Sequence, residues 1–162
     1  MLHGRCSCGS VRLSIDVDPI MTYNCHCSRC RSFANADFHQ GAAVWSWNAQ
    51  VEGDLEYKNT TSLFGLFAMS RGSCAKCKDP MYEACHRLIA PYAMVSSKPF
   101  GFKANSNLFY DSGKQLGTQG LRTVRSDIGS LLFEILMIIF VAIPSIPRSL
   151  IARMNRKKNR VS

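Results

Sequence analysis

Seven of the eight cysteines in this 162-residue chain lie in three short groups. The groups are Cys6-Ser7-Cys8, Cys25-His26-Cys27-Ser28-Arg29-Cys30 and Cys74-Ala75-Lys76-Cys77. Turns this short can aim neighbouring sulfurs at one metal ion, and thiolates are the ligands that zinc prefers. A closed structural zinc site needs four protein donors, whereas a site that keeps a position for water or substrate needs three. The seven cysteines therefore divide as four plus three and predict two zinc ions.

The N-terminus predicts a reducing compartment. Residues 1–6 contain no apolar run of the kind that secretory signals carry. Cysteines stay reduced in such a compartment, and Cys-x-Cys pairs would close strained disulfide rings. Disulfides are therefore the less favoured alternative to metal ligands.

The net charge of +9 is concentrated at the C-terminus. Residues 148–162 contain six basic residues and no acidic one, whereas residues 1–127 contain 14 basic and 10 acidic residues. Ionising seven cysteines around two zinc ions would bring the long N-terminal part close to neutrality. This distribution argues against a nucleic-acid partner, because a broad cationic face is missing.

Alternating apolar and polar residues predict a mainly β domain over residues 1–115. The alternation runs from 11 to 17, and Gly9 beside Cys8 is expected to take the positive φ that turns the chain back toward an ion. Further strands are predicted at 20–23, 54–57, 62–69, 81–88 and 107–110. The segment from 32 to 54 is interpreted as short strands and turns, and 116–127 as a linker.

The C-terminal segment predicts a membrane anchor. Nine apolar residues follow one another from Ile135 to Ile143, so a helix over 128–147 would have no polar face. The part of this helix from Ile128 to Ile146 would be about 28 Å long, close to the ~30 Å hydrocarbon core. The basic tail at 148–162 would bind anionic headgroups, with the domain facing the cytosol. The alternative is a buried helix or strand of the folded domain followed by a disordered tail.

Three segments together resemble one protein family. They are HGRCSCGSVR at 3–12, CHCSRCR at 25–31 and CAKCKDPM at 74–81. Their order and spacing resemble the glutathione-dependent formaldehyde-activating enzyme and centromere protein V family over residues 3–111. The resemblance implies a zinc-bound, mainly β tent of stacked antiparallel sheets, here with a C-terminal hydrophobic helix. Lys78 departs from the family pattern, which usually has glycine after the last cysteine.

The resemblance also implies which cysteines share an ion. The structural zinc would be held by Cys6, Cys8, Cys74 and Cys77. The second, catalytic zinc would be held by Cys25, Cys27 and Cys30, with one coordination position open. Spacing alone would also allow Cys27 and Cys30 to share an ion with Cys74 and Cys77.

Two functions are compatible with this pattern. The resemblance implies a carbon–sulfur lyase or synthase that acts on a thiol–aldehyde adduct such as S-hydroxymethylglutathione, with glutathione or another small thiol as partner. The alternative is a non-catalytic, zinc-stabilised binding module of the centromere protein V type, tethered to a membrane.

The remaining candidate residues are weaker. Arg29 and Arg31 would offset the negative charge of the second site or meet a substrate carboxylate, or they would be solvated. His26 lies between two ligands in a tight turn and is expected to point away from the metal. Cys85 is expected to be a small buried apolar residue. The other histidines, which have no partner at metal-ligand spacing, are expected to be structural or exposed: His3, His39 and His86.

Overall fold

The computed structural model describes residues 1–62, 67–85, 92–113 and 120–123, together with the single positions 132, 136, 144, 146, 147, 150 and 151. These residues form mainly β structure, which confirms the predicted fold class at that level. The strands are β1 (Leu2–Arg5), β2 (Arg12–Ile15), β3 (Met21–Cys25), β4 (His39–Trp45), β5 (Ala49–Glu52), β6 (Leu55–Ser62), β7 (Phe67–Cys74), β8 (Pro80–Cys85), β9 (Tyr92–Ser96), β10 (Ser106–Leu108) and β11 (Arg122–Thr123). The helices are α1 (Ser28–Ala34) and three 3-10 turns at Ser46–Asn48, Lys98–Phe100 and Tyr110–Ser112.

The strands are arranged in two sheets. The smaller sheet is antiparallel and has the order β1-β2-β5. The larger sheet has the order β11-β10-β3-β4-β9-β8-β7-β6. All its pairs are antiparallel except those of β10, which runs parallel to both β3 and β11. The larger sheet is therefore mixed, because one short strand returns in the parallel direction.

The core lies between the two sheets. Val11, Leu13 and Ile15 of the alternating segment are at most 1% exposed and pack against Val44 of β4 and Val95 of β9. Each such side chain contributes about 1.5–3 kcal/mol when buried. The alternating apolar side chains seen in the sequence thus form the contact between the smaller sheet and the larger one.

Helix α1 is the main element that the sequence did not predict. The sequence predicts short strands and turns from residue 32 onward and no helix before it, whereas the chain forms a seven-residue helix. Cys27 caps its N-terminus, and Asn35 ends it in the left-handed region with φ of 47°. Cysteine is not among the usual N-cap residues, so the start of this helix carries no ordinary sequence signal.

The C-terminal predictions lie largely outside the described residues. This applies to the helix over 128–147 and to the basic tail, although the seven single positions described there have helical backbone. One of them, Ile146, packs against Trp45 of β4. Among the residues that the structure describes, no helix is long and apolar enough to cross a membrane. Strand β11 falls within the expected linker, so the larger sheet extends past residue 115.

Candidate metal centre

Four cysteines meet where β1 and β7 end. Cys6 and Cys8 follow β1, Cys74 closes β7, and Cys77 lies in the next turn. Their four sulfurs lie within 4.8 Å of one another, and Cys6 Sγ is 3.4 Å from Cys8 Sγ and 3.6 Å from Cys74 Sγ. A tetrahedral zinc with Zn–S bonds of about 2.3 Å needs sulfur–sulfur separations of about 3.8 Å. The donor set and its spacing therefore fit a closed zinc site.

A carboxylate joins the two turns of this four-thiol group. The backbone N–H of Ser7 donates to Oδ2 of Asp79 at 2.6 Å, and the Ser7 hydroxyl donates to the same oxygen at 2.5 Å. The side-chain hydrogen bond from Ser7 is the main reason that the pKa of Asp79 is lowered. The ionised carboxylate of Asp79 thus holds the turn that contains Cys6 and Cys8 against the turn that contains Cys74 and Cys77.

Two residues in these turns adopt a positive φ. Gly9 has a φ of 75°, as predicted from its position after Cys8. Lys78 has a φ of 61°, and its N–H donates to the carbonyl of Cys74 at 2.9 Å. Lys78 therefore adopts the left-handed conformation that glycine would adopt without steric cost, because the turn must close onto the metal ligands.

Three further cysteines meet at the junction of β3 and α1. Cys25 ends β3, Cys27 caps the helix, and Cys30 lies one turn further on. Positions three apart lie on one helix face, so α1 brings the last two sulfurs together. The three sulfurs lie within 4.8 Å of one another, with 3.5 Å between those of Cys25 and Cys27. No histidine, cysteine or acidic side chain of the described chain completes this group to four.

Each of the two thiol groups contains at least one cysteine with a lowered pKa. Hydrogen bonds from the side chains of Cys25 and Cys30 lower the pKa of Cys27 to about 2. The hydrogen bond with Cys27 is in turn the main reason that the pKa of Cys25 is raised. In the four-thiol group, hydrogen bonds with Ser10 lower the pKa of Cys8 to about 6. Because zinc binds thiolates, each group offers at least one ready ligand near neutral pH.

His26 points away from the three-thiol group. Its ring centroid lies 5.4 Å from that of Phe38 and 5.1 Å from that of Tyr110, and the residue is 1% exposed. A side chain at Gly113 would clash, because its Cβ would lie 2.9 Å from the Cβ of His26. Burial lowers the pKa of His26, which favours the neutral ring. This packing indicates that His26 has a structural role.

A buried ionic chain, which the sequence did not predict, lies beside the three thiols. Arg71 Nε is 2.8 Å from Glu83 Oε2, and His39 Nδ1 is 3.2 Å from Glu83 Oε1. All three side chains are at most 6% exposed. Burial lowers the pKa of Arg71, but Glu83 and then Cys30 raise it, so that the net shift is upward. The guanidinium therefore lies between a buried carboxylate and the thiols.

A cleft of about 390 Å³ opens next to this ionic chain. Ser28 and Arg29 of α1 form part of its wall, and Arg71 and Lys58 form another part. Arg31 points elsewhere, since its Nη2 donates to the carbonyl of Ser112 at 3.1 Å. Of the two arginines expected near the second site, only Arg29 lines the cleft.

The structure also places the remaining candidates. It groups Cys74 and Cys77 with the N-terminal cysteine pair rather than with Cys27 and Cys30. His39 is buried, as a structural histidine would be. The side chain of Cys85 lies outside the described residues.

The fold and the two thiol groups define a class of protein: a cysteine-rich β domain with one four-thiol group and one three-thiol group that has no fourth side-chain donor among the described residues. The sequence model of the glutathione-dependent formaldehyde-activating enzyme family matches residues 1–111, and the chain belongs to this family.

No curated protein sequence matches the chain. A crystal structure of a Rhodobacter sphaeroides protein has a TM-score of 0.50 and 15% identity, covering 76% of this chain and all of that one. At this identity the likeness concerns the fold alone.

Proposed function

We propose that the protein is a zinc-dependent carbon–sulfur lyase or synthase that acts on a thiol–aldehyde adduct such as S-hydroxymethylglutathione. The observation that carries this proposal is the three-thiol group of Cys25, Cys27 and Cys30, which has no fourth side-chain donor among the described residues. Family membership supports formaldehyde and glutathione as reactants. The four-thiol group at Cys6, Cys8, Cys74 and Cys77 would hold the structural zinc.

The reaction needs a thiolate at the three-thiol group. A zinc ion there would supply positive charge that favours the ionised form of an incoming thiol. The sulfur of that thiol forms a bond to the aldehyde carbon, and the electron pair of the C=O bond moves to oxygen. The proton lost by the thiol ends on this oxygen, so that a thiohemiacetal forms without any oxidant or reductant. The lyase direction reverses each transfer.

The chain's own residues prepare this site electrostatically. Three thiolates around one divalent ion leave a net negative charge, which weakens the attraction for a fourth anionic ligand. Arg71 lies against Cys30 and contributes a buried positive charge that offsets part of it. Its partner Glu83 holds the guanidinium in place.

Exchange spectroscopy tests the proposal directly. The zinc-loaded full chain should accelerate the interconversion of glutathione and formaldehyde with their adduct, measured by two-dimensional NMR exchange with ¹³C-formaldehyde. Cys27→Ser should abolish this acceleration while the protein keeps its fold and one zinc ion. Folded wild-type protein with two zinc ions and no thiol-dependent acceleration would contradict the proposal and favour the non-catalytic binding module.

We propose further that residues 128–147 anchor the domain to a membrane, with the domain in the cytosol. The nine consecutive apolar residues and the basic segment after them support this. Deleting residues 128–162 should shift the protein from the membrane to the soluble fraction. Equal fractionation of both forms would instead favour a helix that belongs to the folded domain. The contact of Ile146 with Trp45 would support that alternative.

A further inference from the structure

We infer that the cleft beside α1 binds the carboxylates of the thiol substrate, with Arg29 and Lys58 as its anion-binding residues. This inference rests on the proposed function and specifies the substrate class: a small thiol that carries two carboxylates, of which glutathione is one. Arg29 and Lys58 would act in binding and specificity rather than in the bond-forming step.

The cleft lies next to the three-thiol group, because its wall includes residues of α1 and a side chain that interacts with Cys30. Two of its wall residues, Ser28 and Arg29, occupy the positions between Cys27 and Cys30 in α1. Successive helical residues rise by only about 1.5 Å, so the cleft wall and the thiols share one helical turn. On the opposite side, Arg71 both lines the cleft and interacts with Cys30. A ligand in the cleft would therefore lie beside Arg71, the side chain that the cleft shares with the three-thiol group.

The charge of the cleft favours an anionic ligand. Four cationic side chains and one acidic side chain line it: Arg29, Lys58, Arg71, Lys78 and Glu56. Lys78 is paired with Glu56, and Arg71 is paired with Glu83 behind the wall. Within the described part of the chain, neither Arg29 nor Lys58 has an acidic partner, and both side chains are exposed. Two positive charges are thus available to a ligand that brings two negative ones.

The size and walls of the cleft suit a short peptide. Its volume of about 390 Å³ is within the usual range of about 300–1,000 Å³ for small-molecule sites. Phe33 and Tyr57 supply aromatic surface between the charged groups. A tripeptide thiol could place its backbone against the rings and its carboxylates on Arg29 and Lys58. A small aminothiol without carboxylates would gain nothing from these contacts.

Binding of S-methylglutathione separates this inference from the reaction. This probe retains both carboxylates, but its methylated sulfur cannot form a thiolate. The wild-type full chain should bind it by isothermal titration calorimetry, and the double variant Arg29→Gln/Lys58→Gln should raise Kd at least about tenfold, because two charge-assisted contacts are lost. Arg12→Gln removes an exposed arginine from the smaller sheet and should leave Kd unchanged. An unchanged Kd in the double variant, or no binding to the wild type, would overturn the inference.

Kinetics give a second readout that depends on the substrate. The double variant should raise KM for glutathione by a similar factor with little change in kcat, and its kinetics with cysteamine should match those of the wild type. Equal losses with both thiols would contradict a carboxylate site. If the wild type binds S-methylglutathione through these residues but catalyses no exchange, the cleft assignment holds and the proposed function fails.

Discussion

The guanidinium of Arg71 and the carboxylate of Glu83 form an ion pair with 2.8 Å between Nε and Oε2, and both side chains are almost fully buried. The two residues are direct cross-strand partners on β7 and β8. Opposite charges at such positions stabilise the pairing of the strands. The pair lies immediately behind the three-thiol group, so it connects the register of the larger sheet to the chemistry of the site.

Replacing Glu83 by glutamine should lower the free energy of unfolding by about 3 kcal/mol, because a buried arginine would lose its countercharge. Urea denaturation followed by circular dichroism measures this loss. Glu52→Gln, at an exposed acidic residue of β5, serves as the control and should change stability little. Equal stability of the two variants would show that the buried pair is not important for the fold.

The two thiol groups should respond differently to serine substitution. Cys74→Ser removes a buried donor from the four-thiol group and should unfold the domain, because a structural zinc supplies folding free energy. Cys27→Ser should leave a folded protein with one zinc ion. Native mass spectrometry counts the ions and circular dichroism reports the fold. A folded Cys74→Ser protein that retains two ions would contradict the assignment.

Chelator should remove the two ions in sequence. Among the described residues the three-thiol group has three side-chain donors and the other group has four, so the ion of the three-thiol group should leave at the lower chelator concentration. The β-sheet signal should persist after this first release and disappear with the second. Release of both ions in one step, together with unfolding, would argue that the second ion is structural as well.

The left-handed conformation of Lys78 predicts that glycine is preferred there. Lys78→Gly and Lys78→Ala both remove the exposed pair with Glu56, but only glycine avoids the steric cost of the positive φ. The glycine variant should therefore be more stable than the alanine variant by about 1 kcal/mol. Thermal unfolding of the two zinc-loaded variants gives the comparison, and a more stable alanine variant would contradict the strain at this turn.

The parts of the structure that the sequence predicts are those specified by local spacing. Short cysteine intervals limit how far apart neighbouring sulfurs can lie, and the alternation in β2 specifies which of its side chains enter the core. The ionic chain depends instead on which residues face each other across strands. The β7–β8 register shifts between Gly72 and Ser73. Counting residues outward from the turn between the two strands would therefore not place Arg71 opposite Glu83. Helix α1 was missed because seven residues with a cysteine cap give too weak a helical signal.

The four-thiol group has a consequence for the order in which a newly made chain assembles. Its donors come from residues 6–8 and 74–77, so it cannot close until most of the matched family region has left the ribosome. The three donors at 25–30 emerge together within six residues and can bind an ion much earlier. We therefore expect the three-thiol group to acquire its metal while the chain is still unfolded, and the four-thiol group to acquire its own metal last.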